Sequence, residues 1–218
     1  PGFLTLIDTA VVSNGANGFG GGAYANAAAS VSGGWFLRNT GLMGGGLAVI
    51  GSLWTTGTHY VSNTATINFG GGLSAGGELH MTGTQFIGNI ATQNHGGGVH
   101  ANSAVYGSNV LFQANRGSWG GGLRANGSVA LTATQFLSNT ATSFGGAACL
   151  SDAAAIVDAK FVGNRAFIGG GLYFAASSTG RVANALFAHN SASSNGAAIS
   201  LNGNGTNGPI VLMHTTVA

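Results

Sequence analysis

A unit of 24 to 27 residues recurs from one end of this chain to the other, and this period restricts the fold more than any other feature. One whole copy lies between Phe112 and Asn139, FQANRGSWGGGLRANGSVALTATQFLSN. The first glycine of its Gly-rich step recurs at Gly20, Gly44, Gly70, Gly96, Gly120, Gly145, Gly169 and Gly196. An asparagine keeps the same rhythm at Asn14, Asn39, Asn63, Asn89, Asn115, Asn139, Asn164 and Asn190. A third column, usually aromatic, runs Val11, Phe36, Tyr60, Phe86, Phe112, Phe136, Phe161, Phe187 and Val217.

Apolar residues stand five and seven positions before the aromatic, as in Leu79, Met81 and Phe86 or Val129, Leu131 and Phe136. That alternation marks a short strand with one buried face. It returns after the Gly step, as in Leu47/Val49, Val99/Ala101 and Leu172/Phe174. Each unit therefore reads as about three short strands with turns between them, and nothing carries helical periodicity. Such a unit cannot bury its apolar side alone, but coiled copies can hydrogen-bond turn to turn at about 4.8 Å. The expectation is an all-β, single-stranded parallel β-helix of about eight coils, right-handed as parallel crossovers nearly always are. Residues 1–218 form one such domain, expected to continue into a longer chain or an end-to-end assembly, because no polar cap is visible over Leu4, Leu6, Leu212 or Val217. The phenylalanines are expected to stack inside. The asparagines are expected at a tight corner, where Asn tolerates unusual backbone angles and can satisfy amides of the next coil. Small residues two positions later, such as Gly41, Ala65 and Gly117, suggest that this corner presses on its neighbour.

The alternating FxxN and GGA[ILV] motifs resemble the polymorphic outer membrane protein repeats of bacterial autotransporter adhesin passengers. FxxN stands here as FLRN, FIGN, FQAN, FLSN, FVGN and FAHN, with YVSN at Tyr60 and VVSN at Val11. The second motif stands as GGGA, GGGL, GGGV, GGAA and GAAI, so the resemblance spans nearly the whole chain. It implies an exported β-helix, extracellular or on a cell surface, and often adhesive.

Composition agrees with an extracellular setting, since only 10 of 218 residues are charged. One lysine and five scattered arginines do not make a nucleic-acid footprint. No apolar run is long enough for a transmembrane segment. The single cysteine, Cys149, excludes a disulfide framework and reads as a bystander thiol.

Polysaccharide lyases and hydrolases also use β-helices, and they need converging carboxylates. The four acids are Asp8, Glu78, Asp152 and Asp158, and only Asp152 and Asp158 share a coil. His100, Arg124, Cys149 and Tyr173 fall in one outward column, but His100 and Cys149 lie two turns apart, too far for a dyad. Thr82/Thr84 and Thr132/Thr134 form TxT pairs without a continuous array. No catalytic, cofactor or metal site is expected.

The residue before each Gly step defines a possible interaction stripe: Phe19, Met43, Phe69, His95, Trp119, Phe144 and Ile168, ending at Asn195. These side chains either tuck under the neighbouring turn to complete the core or line the surface for a partner. Leu37, Val61, Ile87, Leu137 and Val162 suggest a second stripe. Insertions fall only in the last two turns, near Ser177 and from Asn202, and Asn126-Gly-Ser128 and Asn204-Gly-Thr206 match the glycosylation triplet. The leading expectation is a non-enzymatic structural or adhesive surface for a protein, a glycan or other copies of the chain. The alternatives are a carbohydrate-active β-helix enzyme and a subunit of a head-to-tail filament.

Overall fold

The computed structural model describes residues 2–175, 178–202 and 208–218. Parallel strands stack as a β-solenoid of about eight turns, with no helix among the described residues. The chain passes through four sheets per turn. The first sheet has nine strands, from Leu4–Ile7 to Ile210–Met213, and the second has nine, from Ala10–Val12 to Thr216–Val217. The third has seven, from Thr40–Gly41 to Ser191–Ala192, and the fourth has eight, from Ala23–Ala25 to Ile199–Leu201. The third sheet is one more than the spacing predicts. Five of its seven strands are two residues long, too short for any alternation to register in sequence.

The register pairs each repeat column with itself. Phe86 lies beside Phe112, Phe112 beside Phe136 and Phe136 beside Phe161. Their rings stack nearly parallel, with centroids 4.7–5.1 Å apart, which is the spacing of the strands that carry them. All are fully buried beside the aliphatic columns of the first and fourth sheets. Where Tyr60 replaces Phe, Thr55 of the same coil replaces the usual aliphatic residue, and their hydroxyls lie 3.4 Å apart. The core therefore accommodates the polar substitution locally.

The asparagines form an unbroken hydrogen-bonded ladder. The Asn115 Oδ1 accepts from both the backbone N–H and the Nδ2 of Asn89, each at 3.0 Å. Its own Nδ2 donates to Asn139 Oδ1 at 2.9 Å and to the Phe86 carbonyl at 2.8 Å. Each interior Asn thus joins three coils, and Asn39 to Asn164 are fully buried. The expectation about their backbone needs correction. The left-handed residue is the one before each Asn, at Ser13, Arg38, Ser62, Gly88, Ala114, Ser138, Gly163 and His189, with φ of 53° to 68°. The Asn stays in ordinary backbone because its side chain, not its φ, makes the corner.

The Gly step has two separate demands. Its first glycine is left-handed in every coil, with φ of 60° to 72°. Its second admits no side chain, since a Cβ at Gly121 would lie 2.5 Å from the Gly146 carbonyl and 2.6 Å from the Thr140 carbonyl. The small residue two positions after Asn faces the same run, as a Cβ at Gly117 would approach the Gly97 nitrogen to 2.9 Å.

Candidate functional site

The possible interaction stripe lies in register along the edge of the fourth sheet. Backbone N–H groups of Gly44, Gly70, Gly96 and Gly120 donate to the carbonyls of Phe69, His95, Trp119 and Phe144. Phe19 is exposed, whereas Met43, Phe69, His95, Trp119, Phe144 and Ile168 are half-buried and Asn195 is exposed. These side chains do not enter the coil interior. They fold over the outer surface of the fourth sheet and make a second apolar layer there. Phe69 stacks on His100 at 4.3 Å, Phe144 leans on Tyr173 at 4.6 Å, and Trp119 lies 5.4 Å from the Arg124 guanidinium.

The outward column of that sheet is consequently buried. His100 is 2% exposed, Arg124 8% and Cys149 0%. The register puts His100 beside Arg124 and Arg124 beside Cys149, so Arg124 separates the histidine from the thiol. The Arg124 Nη1 donates to Ser151 Oγ at 2.8 Å and lies 3.3 Å from the Cys149 sulfur. Its Nε and the Nδ1 atoms of His95 and His100 are buried with no hydrogen-bond partner among the described residues. Burial, with Arg124 and His95 adding to it, pushes the His100 pKa down to about 3. Burial raises the Cys149 thiol to about 11 although Arg124 draws it the other way. A neutral imidazole and a protonated thiol on either side of a cation are poor nucleophile chemistry. They are packing groups.

The other faces carry rings that recur in register with the repeat. On the first sheet, Trp54, His80 and Tyr106 occupy one outward column, with centroids 5.4 and 4.8 Å apart and planes within 16°. On the second sheet Trp35 stacks on His59 at 4.1 Å. Trp35, Trp54 and Tyr106 are 42–46% exposed. The same 24- and 26-residue spacing that marks the core columns also marks these residues, and tracking outward positions by period would have found them. The second stripe, Leu37, Val61, Ile87, Leu137 and Val162, lies on the outside of the second sheet, half-buried, interrupted by Gln113.

The acids occupy turns bordering the first sheet. The Asp152 Oδ1 accepts from the Ala153 N–H at 2.7 Å, and the Asp158 Oδ1 accepts from Asn184 Nδ2 at 3.2 Å. Glu78 Oε2 lies 3.4 Å from His80 Nε2, and no acid lies within 4 Å of a lysine or arginine among the described residues. No group of three or more metal-ligating side chains occurs among the described residues. The TxT pairs do not make an outer face, because Thr84 and Thr134 are buried, and Thr84 Oγ1 donates to the Thr55 carbonyl at 3.1 Å. Asn126 is exposed and donates to Asn102 at 3.0 Å, while Asn204 to Thr206 and Ser177 lie outside the described residues. Among the described residues no helix is long and apolar enough to cross a membrane. Comparison with protein-family models, with curated proteins and with solved structures finds no match.

Proposed function

We propose that this chain is a non-enzymatic, secreted or cell-surface β-solenoid that binds through its long lateral surface, in the manner its FxxN and GGA[ILV] repeats resemble. The observation that carries this reading is the pair of exposed ring ladders, Trp35–His59 and Trp54–His80–Tyr106, on adjacent sheets and meeting in the coil that holds Trp54 and His59. Aromatic rings held edge-outward on a rigid stack offer contact area without the entropy of ordering a loop. Single-turn spacing of the rungs suits an extended partner, a glycan or a protein strand, lying along the axis. Asp152 and Asp158, the two acids that share a coil, flank opposite ends of the strand Ala154–Val157, which supports the non-enzymatic reading because glycoside cleavage employs a converging carboxylate pair.

The test is adhesion of the purified protein to immobilised cell-surface glycans and proteins. Trp35→Ala, Trp54→Ala and Tyr106→Ala should reduce binding while leaving the melting temperature nearly unchanged. Release of reducing ends or unsaturated sugars that disappears in Asp152→Ala or Asp158→Ala would reverse the reading in favour of an enzyme.

A further inference from the structure

The acids of this chain gather on one face, with Arg181 of the first sheet and Lys160 near them. Asp8, Glu78, Asp152 and Asp158 all lie within two residues of a strand of the first sheet. Along the chain, the third sheet is separated from the first by the second sheet on one side and the fourth on the other. It carries Arg116 and Arg165, with Arg38 at the corner that leads into it, and no acid. Both Arg116 and Arg165 are exposed, and neither forms an ion pair among the described residues.

They occupy one column. Arg116 pairs with Thr140 and Thr140 with Arg165, so the two cations are two coils apart, roughly 9.6 Å. Beside Arg116 the surface is hollowed to about 330 Å³, with Ile90, Thr92, Gln93, Arg116, Ser118 and Thr142 around it. The hollow follows from unequal coil lengths. Seven residues separate Asn89 from Gly96 but only five separate Asn115 from Gly120, so Thr92 and Gln93 stand proud of the next coil. A cation set among four neutral hydroxyl and amide side chains, beside the exposed apolar Ile90, is the arrangement that recognises a carboxylated sugar. The guanidinium takes the carboxylate, the polar groups take ring hydroxyls, and Ile90 takes part of the ring face.

We propose that the third sheet binds an acidic polysaccharide along the solenoid axis, with a carboxylated sugar seated at Arg116 and a second carboxylate, one disaccharide further on, at Arg165. This rests on the lateral-surface reading above and adds to it a ligand class and a face, distinct from the ring ladders.

The experiment is titration of the intact protein with a hyaluronan decasaccharide, which presents one carboxylate per disaccharide, followed by calorimetry or fluorescence. Saturable binding is expected, weakening as salt rises. Arg116→Gln and Arg165→Gln should each weaken it roughly tenfold, the size of one lost charge-assisted contact. Arg116→Lys should retain part of it, and melting temperatures should be unchanged because both side chains are exposed. A neutral dextran oligosaccharide should not bind. No binding of hyaluronan by wild type, equal affinity in the Gln variants, or equally tight binding of single-stranded DNA would each overturn the proposal. The Trp54→Ala and Tyr106→Ala variants separate the two readings. If they lose adhesion while the arginine variants change nothing, the ring ladders still carry adhesion and only the acidic-sugar site fails.

Discussion

Inside the coils each turn meets the next with the same residue, Phe on Phe and Asn on Asn, whereas outside the fourth sheet neighbouring turns meet with unlike ones. There Phe69 covers His100 and Phe144 covers Tyr173, while Trp119 lies near Arg124 of its own turn. The interior ladders satisfy every hydrogen bond of the Asn side chains. Among the described residues the outer layer leaves three buried nitrogens without partners and a buried cation without a carboxylate. Repetition is what makes the difference. A side chain stacked on its own kind finds its donor and acceptor at a fixed offset in every coil. A layer of mixed residues must find each partner separately, and an incomplete polar network in a dry setting costs stability. The interior thus specifies the fold, and the outer layer tolerates imperfection because the ladders already hold the coils.

The largest expected effects fall on the interior. Phe112→Ala removes a ring stacked on both sides, and large-to-small replacement of a buried Phe costs about 3–5 kcal/mol. Trp119→Ala, one coil position away in the half-buried outer layer, should cost clearly less. Equal losses in denaturant melts would mean that the outer layer is as much a core as the inner one.

Position along the ladder sharpens the same contrast. Asn115→Ala strands the Asn89 N–H and the Phe86 carbonyl in a dry corner, at a cost of about 1–3 kcal/mol. Asn14→Ala, exposed in the first coil, should cost under about 1 kcal/mol because water replaces the lost partner. Indistinguishable thermal melts of Asn115→Ala and wild type would show the corner to be solvated.

Most of the interior was legible in sequence, and the reason is geometric. Phe112 and Phe136 are 24 residues apart and directly adjacent, so a single period finds every core contact. The third sheet was illegible because strands such as Thr64–Ala65 end before an alternation can be seen. The outer layer was illegible for another reason. Phe69 and His100 belong to different columns of successive coils, and their contact depends on side-chain direction, which no period encodes. The exposed ladder of Trp54, His80 and Tyr106 could have been read, since it obeys the same spacing as the core.

Acid separates the two regions next. The His100 pKa of about 3 lies below its ordinary value of 6.5, chiefly through burial, then through Arg124 and His95. Between those two values the unfolded chain binds a proton that the folded chain refuses. Stability must therefore rise with pH across that window, and it is lost as pH falls from about 6.5 to about 3. His95, also lowered by burial and Arg124, adds in the same direction. The slope contributed by His100 reaches at most about 1.4 kcal/mol per pH unit. His100→Phe should flatten the profile measured by denaturant melts between pH 6.5 and 4. A slope that survives the substitution would assign it to other groups.

The smallest effect concerns Cys149, and it asks whether the outer layer is closed at all. The thiol is fully buried, and its pKa of about 11 leaves on the order of one thiolate in a thousand at pH 8. A disulfide reagent such as Ellman's should therefore react slowly with the native protein at pH 8 and at once with the unfolded chain. Cys149→Ala should cost no more than about 1 kcal/mol, since a small apolar side chain replaces a protonated thiol that accepts one weak contact from Arg124. Arg124→Leu sharpens the measurement. Arg124 is the group that lowers the thiol pKa against burial, so its removal should slow the reaction further. If the layer instead opens readily, Cys149 in wild type will react at the rate of a free thiol. The contrast between a rigid interior and a tolerant but dry outer layer would then reduce to one between inside and solvent.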